Sequence, residues 1–223
     1  YHMWSETYDR DYSDIFKIQD EISEHILDAM KVHLLGEQAP PERHTAERTA
    51  NLDAYDAYLI GKERLSRRTE EDLAAARDKF EEAIQLDPNF APARVELAHT
   101  LLLMERRQYG DLSREETEPV IQEHLTRALE LDQDTAEGIA VNGLHHFRRF
   151  RFDEAEEQFD KAISINPNFA LAYLWRSETA YQQQRYLDML ADKEKEYSLD
   201  PMSLEISAQL AFDYRSFWRP RDA

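Results

Sequence analysis

The 223-residue sequence has no cysteine and only five glycines and eight prolines. The absence of cysteine excludes disulfide frameworks, thiolate nucleophiles and cysteine-based zinc fingers, and it leaves the redox compartment open. The scarcity of glycine and proline leaves long stretches in which a helix is not interrupted. Because 42% of the residues are apolar, a disordered chain is also excluded. The sequence therefore predicts a mainly helical globular protein.

Basic residues are scarce relative to acidic ones. The chain has 27 lysines and arginines against 46 aspartates and glutamates, a formal charge of -19. Such a field repels phosphate backbones, so we expect no nucleic-acid partner. No apolar run reaches the roughly 18 to 20 residues that a membrane span requires, so we expect no direct membrane insertion by this segment. A Gly-rich phosphate loop, an HExxH pair and a Ser-His-Asp order are also missing. We therefore expect no enzyme, no catalytic residue and no cofactor.

A phrase of the sequence recurs along the chain. LDPNFAPA at residues 86–93 is echoed by INPNFALA at residues 165–172, and a similar helix ends at each. A third copy, HLTRALELDQ, lies between them, and a fourth ends at Pro201, 34 residues after Pro167. The residue before a proline is disfavoured in a helix, so each copy predicts a helix that ends in a turn. A period of 34 residues indicates stacked helical hairpins.

Large and small residues alternate in these hairpins. One helix of each hairpin places a large side chain, Phe80, Leu125 or Phe159, on the same stripe as small residues. The other helix carries one small residue where the two backbones must approach, and a large side chain can enter the space beside it. The small positions are Gly61, Ala98, Gly143, Ser177 and Ala211.

From Asn51 to its end the chain resembles the tetratricopeptide repeat family. The resemblance implies an all-α fold, a right-handed superhelical solenoid of antiparallel helix hairpins, with units at about 51–90, 91–135, 136–169 and 170–203 and a truncated fifth from 204. The first two units carry insertions in their turns, at 66–69 and 109–117. The fourth places Met189, Lys193 and Glu196 on the packing stripe. We therefore expect the second helix of that unit to pack loosely or to be half exposed.

The amino-terminal residues have a different pattern. Residues 1–36 combine an aromatic-rich, strand-like segment with one amphipathic helix, and a proline-marked linker follows at 37–50. The run WSETYDRDYSDIFKIQDEISEHI resembles the last strand and helix of a TolB-like domain, as in bacterial adenylate-cyclase-linked or winged-helix-linked regulatory proteins. This resemblance implies the carboxy-terminal part of a larger bacterial signalling protein. We expect a cytoplasmic or periplasmic location, and a tether to the inner membrane through a preceding part stays open.

The family resemblance also implies a site. In tetratricopeptide arrays the first helices of successive units line a concave groove that holds a peptide or protein segment. Three functions stay open: a protein-interaction scaffold with regulatory function, self-association as a homodimer, and small-ligand sensing. Carried over one by one, the groove positions are Tyr55, Tyr58, Lys62, Val95, His99, Leu102, Ala140, Leu144, Phe147, Arg148, Leu174, Glu178, Tyr181, Ala208, Phe212 and Arg215.

Other polar residues have simpler interpretations. His145 and His146 are adjacent and predict different helix faces, and His99 and His124 have no third ligand at a suitable spacing, so we expect no metal. Ser113 begins a capping box at a helix start. Two basic clusters, Arg67 with Arg68 and Arg148 with Arg149 and Arg151, either meet acidic ligands or form local ion pairs.

Overall fold

A computed structural model describes residues 49–110 and 112–217. This part of the chain belongs to one compact unit that begins at Thr49, and it contains helices joined by turns, with no strand among its residues. Within these residues the helices are α1 (Leu52–Arg67), α2 (Glu70–Leu86), α3 (Ala91–Met104), α4 (Arg114–Leu131), α5 (Ala136–Arg148), α6 (Phe152–Ile165), α7 (Ala170–Gln182), α8 (Tyr186–Leu199) and α9 (Leu204–Phe217).

Consecutive helices pack as hairpins, and each hairpin packs on the next. The tightest pairs are α1 with α2, α3 with α4, α5 with α6, and α7 with α8. We call α1, α3, α5, α7 and α9 the first helices and α2, α4, α6 and α8 the second helices. The expected all-α solenoid of helix hairpins is therefore the observed fold.

Side-chain caps fix where several helices begin. The Asn51 side chain accepts a hydrogen bond of 3.1 Å from the Ala54 amide at the start of α1. At the start of α4, the Ser113 hydroxyl accepts from the Glu116 amide at 3.3 Å, and the Glu116 carboxylate accepts from the Ser113 amide at 3.0 Å. These bonds satisfy backbone donors that a helix leaves unpaired at its first turn. The predicted capping box is confirmed.

The hairpin interiors follow the predicted contrast of large and small residues. Phe80 and Phe159 are fully buried. A Cβ atom added to Gly61 would lie 2.6 Å from Phe80 Cε1, and one added to Gly143 would lie 2.6 Å from Phe159 Cε1. No real Cβ tolerates that distance from a packed ring, so the space for each phenylalanine exists because a glycine faces it. The predicted packing register is confirmed in these two hairpins.

The second helix of the fourth hairpin, α8, packs more closely than the sequence predicts. Met189 and Glu196 are 1% and 7% exposed, and the Lys193 side chain is 12% exposed. Asp192 is buried as well and accepts two hydrogen bonds from Arg176, of 2.9 Å from Nε and 2.5 Å from a terminal nitrogen. Buried charges are tolerated when they are paired. Loose packing of α8 is therefore wrong, whereas the alternative of a half-exposed helix agrees with exposed residues such as Leu187 and Tyr197.

A buried ionic network holds the inserted turn between α3 and α4. Arg149 donates to both oxygens of Glu105 at 2.9 and 2.8 Å and to Glu118 at 2.5 Å. The Arg149 and Glu105 side chains are 9% and 4% exposed. Burial raises the pKa of Glu105, but hydrogen bonds from Arg149 and Thr117 outweigh it and hold that pKa below its ordinary value. The sequence did not predict this network, since its members come from α4 and from the residues that follow α3 and α5.

The expectations for the amino-terminal part are not addressed by these helices. The predicted strand and helix at 1–36, and most of the predicted linker at 37–50, lie outside the described residues. A membrane-crossing helix would need length and apolarity together, and none of the helices in the described part of the chain has both.

Candidate functional site

The first helices form the inner face of a curved array. Successive first helices contact one another: α1 contacts α3, α3 contacts α5, and α5 contacts α7. No two second helices of the described part contact one another. Stacked hairpins whose first helices are closer together than their second helices must curve toward the first helices. We call the surface made by the first helices the inner face. It carries the predicted groove residues.

The middle of the inner face is packed shut. His99 on α3 contacts Trp175 on α7 with ring centroids 5.4 Å apart, although α5 lies between these two helices in the chain. Their approach is possible because α5 presents small residues to its neighbours, including Ala140, which is fully buried. Five of the predicted groove residues are buried here and form the wall of the array, where a partner has no access to them: Val95, His99, Leu102, Ala140 and Leu144.

The α1 end of the inner face contains aromatic rings and a small polar network. Tyr58 is half-buried, with its ring 5.0 Å from that of Phe90, and burial followed by the charge of Glu96 raises its pKa. Lys62 is exposed, and its Nζ atom lies 3.5 Å from Oε1 of Glu96. The other carboxylate oxygen of Glu96 lies 3.5 Å from Nδ1 of His99. Burial raises the pKa of Glu96, but its partners His99 and Lys62 outweigh burial and lower it. Tyr55 is half-buried and stacks on Tyr58 at 6.2 Å.

The remaining predicted groove residues lie toward the carboxyl ends of the first helices or on later helices. Phe147 is half-buried against Phe152, with ring centroids 5.8 Å apart. Glu178 and Tyr181 on α7 are exposed. These positions, unlike the middle of the inner face, are accessible to a partner. Arg148 and Leu174 are half-buried, and Ala208, Phe212 and Arg215 on α9 are exposed.

Two residues of the inner face were missed from the sequence. Trp175 follows the predicted Leu174 and is 6% exposed, packed between His99 and Phe159. Glu96 stands three residues before His99, a spacing that places two side chains on one helix face. That spacing was a usable signal for Glu96. Trp175 could not be found in the same way, because its contact with α3 depends on how far the array curves.

His99 and His124 each contact other side chains of the protein. His99 and His124 do not approach one another: His99 contacts Glu96 and Trp175, and His124 lies 3.0 Å from Arg94. Burial lowers the pKa of His124, and Arg94 lowers it further. In the described ranges no group of three histidine or acidic side chains is arranged to hold a metal ion.

No protein-family model matches the chain, although known proteins resemble it in sequence. Over 163 residues the chain is 28% identical to "Putative adenylate cyclase 3" of Rhizobium meliloti (strain 1021). The match covers 70% of this chain and 26% of that protein. The chain thus spans about a quarter of the length of this relative.

Solved structures share the fold at low sequence identity. The chain is similar to TTC0263, a thermophilic TPR protein of Thermus thermophilus, with a TM-score of 0.61 at 13% identity, covering 90% of this chain and 96% of that one. It is also similar to Pseudomonas aeruginosa PilF, with a TM-score of 0.55 at 19% identity over 75% of this chain and 71% of that one. These similarities show a tetratricopeptide-type fold.

Proposed function

We propose that this chain is a protein-interaction scaffold whose inner face binds a segment of a protein partner. The observation that carries the proposal is the division of the inner face. Its middle is closed by His99 and Trp175, while aromatic and charged side chains of the same face, such as Glu178 and Tyr181, remain exposed. Accessible aromatic residues on a rigid helical frame suit recognition, because they contribute contact area with little loss of side-chain entropy.

We further propose that the scaffold is a regulatory segment of a larger bacterial signalling protein. The relative from Rhizobium meliloti is named as an adenylate cyclase, and the part that this chain matches is 26% of its length. Such a segment regulates by binding a partner, or another part of its own polypeptide, in one state of the larger protein. The fold supports this role because a solenoid offers an extended surface without chemistry of its own.

Site-specific photocrosslinking tests the inner face. A photoreactive amino acid placed at Tyr181 is expected to give protein adducts in a bacterial cell that expresses the chain. The matched control places the same group at Glu81, an exposed residue of the second helix α2. Adducts from Glu81 and none from Tyr181 would contradict the proposed face.

Self-association is a second candidate function, and α9 favours it. Leu204 and Phe212 on this helix are 86% and 53% exposed, and Met202 in the preceding turn is 87% exposed. Exposed apolar residues grouped on one element favour contact with another protein surface. Light scattering at increasing protein concentration tests this candidate, with Phe212→Ser as the comparison. A mass equal to one chain at every concentration would remove it.

A further inference from the structure

Three arginines lie where successive first helices end. Arg68 follows α1 in a left-handed backbone conformation, with φ of 52°. Arg106 stands two residues beyond the end of α3, and Arg148 is the last residue of α5. Because first helices stack side by side in the same direction, these ends meet at one edge of the inner face. We call Arg68, Arg106 and Arg148 the arginine edge.

The charges of this edge converge on one carboxylate. Glu178 on α7 is exposed at the surface. The inner face around it limits its solvation, and this desolvation raises its pKa. The charges of Arg106, Lys193, Arg148 and Arg68 act in the opposite direction, so the three arginines of the edge and Lys193 all lie near enough to Glu178 to affect it. The curvature of the array also accounts for the ring contact between His99 on α3 and Trp175 on α7.

None of the three arginines is neutralised by a direct ion pair with a described carboxylate. Their neighbours in sequence behave differently. Arg67 pairs with Glu63 at 2.5 Å, and Arg149 pairs with Glu105 at 2.8 Å. Glu178 also makes no ion pair with any described residue. The arginine edge and Glu178 therefore form no direct ion pair with one another, and the further charges that act on them include those of Lys193, Glu105 and Arg114.

Arg148 has one hydrogen-bond donor without a partner. Its Nε atom is buried and has no hydrogen-bond acceptor among the described residues. Burial lowers its pKa, and the charge of Arg106 lowers it further. A cation at the end of a helix gains from the helix dipole, which is sufficient reason for an exposed arginine such as Arg68. The dipole does not supply an acceptor for a buried Nε, and an unpaired buried donor is costly.

We propose that the arginine edge binds the carboxylates of an acidic segment in the protein partner. This proposal rests on the proposed function and specifies its partner. Guanidinium groups pair with carboxylates through two parallel hydrogen bonds, and three of them along one edge match successive acidic side chains. The chain carries a charge of -19, so the arginine edge is a local exception in a surface that repels long polyanions. A short acidic segment of a protein therefore fits better than a nucleic acid.

An exposed aromatic residue beside the edge specifies the segment further. Phe150 lies in the turn that follows Arg148 and is 72% exposed, with the Arg114 guanidinium 5.9 Å from the centre of its ring. Large apolar side chains that stay exposed next to charged ones often contribute to an interface. We therefore expect the acidic residues of the partner segment to alternate with apolar ones.

Fluorescence anisotropy with two labelled peptides tests the proposal on the whole chain. The probe repeats Glu-Glu-Leu over twelve residues, and its matched control repeats Gln-Gln-Leu. We expect the acidic probe to bind more tightly, and Arg148→Gln to weaken it by about tenfold, the loss of one charge-assisted hydrogen bond. Arg68→Gln should weaken it in the same direction, and because Arg68 is exposed this change leaves folding intact. Circular dichroism verifies the helical content of each variant.

Two further variants separate the arginine edge from general charge effects. Glu178→Gln removes the like charge and should strengthen binding of the acidic probe by about fivefold. Arg127→Gln, an exposed arginine of the second helix α4 paired with Glu130 at 3.0 Å, should leave binding unchanged. If Arg127→Gln and Arg68→Gln lower the affinity for the acidic probe equally, binding responds to net charge alone. That result overturns the proposal.

The remaining outcomes are also decisive. Equal affinity for the two peptides overturns the acidic specificity, and if Tyr181 still gives protein adducts the proposed function survives that failure. Loss of both peptide binding and inner-face adducts removes the two proposals together. Tighter binding of a single-stranded oligonucleotide than of the acidic probe, with the same dependence on Arg148, assigns the edge to nucleic acid and overturns the acidic protein segment.

Discussion

The hairpins α5–α6 and α7–α8 have the same architecture but are held together by different interactions. In α5–α6, the ring of Phe159 fills the space beside Gly143, and the contact is apolar. In α7–α8, Ala180, Met189 and Leu190 form a small buried apolar cluster, and Arg176 and Asp192 add a two-bonded ion pair across the hairpin. The comparison teaches that the seam between two helices of a hairpin can combine apolar contacts with a buried ion pair. The variants below test this difference.

The largest effect is expected from Phe159→Ala. The substitution removes a fully buried ring and leaves a cavity, which should lower the free energy of unfolding by about 3–5 kcal/mol. Urea unfolding followed by circular dichroism measures the loss. Phe80→Ala, in the matching seam of α1–α2, serves as a parallel variant and should lose a similar amount. A loss below about 1 kcal/mol in both variants would mean that the phenylalanine seams do not hold the hairpins.

The converse change, Gly143→Ala, should cost less. Its Cβ would lie 2.6 Å from Phe159 Cε1, so the ring or the helices must shift. Overpacking of this kind typically destabilises by about 1–3 kcal/mol, more than the small gain in helix propensity from alanine. Thermal unfolding provides the measurement. Glu157→Ala on the exposed side of α6 is the control and should change the stability by less than about 0.5 kcal/mol.

The ionic seam is expected to respond to the loss of one partner more than to the loss of both. Arg176→Met leaves the buried Asp192 carboxylate without its two hydrogen bonds and should cost about 1–3 kcal/mol. The double variant Arg176→Met with Asp192→Leu fills the seam with apolar atoms and should recover most of that loss. Urea midpoints of the three proteins decide the matter. A double variant less stable than Arg176→Met would show that this seam depends on its charges.

The smallest expected effect is the pH dependence of the ionic junction between α4 and α5. Burial lowers the pKa of His145 and outweighs its bond to Glu118, so the folded protein favours the neutral imidazole. The resulting stability is fully present above pH 6.5, the ordinary pKa, and is lost as the pH falls below it. The pKa values of Glu105 and Glu118 are lowered by their partners, and their contribution is lost at still lower pH.

We therefore expect the urea midpoint to fall between about pH 7 and pH 5, and to fall less steeply in His145→Gln. The histidines at 124 and 146 also have lowered pKa values and contribute in the same direction, so the variant should flatten the profile only in part. An unchanged slope in the variant would remove His145 from this explanation. The contact between Phe159 and Gly143 is apolar and should not contribute.

The candidate site was predictable in part. The resemblance to tetratricopeptide arrays placed the predicted groove residues on the first helices, and these residues do lie there. It could not state which of them stay accessible, since Val95 and Leu102 are buried while Glu178 is exposed on the same inner face. That difference depends on the distance between helices that are one or two hairpins apart. The groove itself remains a prediction.

The sequence by itself determined the helical hairpin, its period and its packing register. These follow from local causes: a proline or a capping residue ends or begins most of the helices, and the size of residues such as Gly61 and Phe80 sets the contact within one hairpin. Only the tertiary structure decided how tightly the array curves, and therefore which arginines find partners. Arg149 meets Glu105 from 44 residues away, whereas Arg148 meets no described carboxylate. Small rotations between hairpins accumulate along a solenoid, and no local pattern in the sequence encodes their sum.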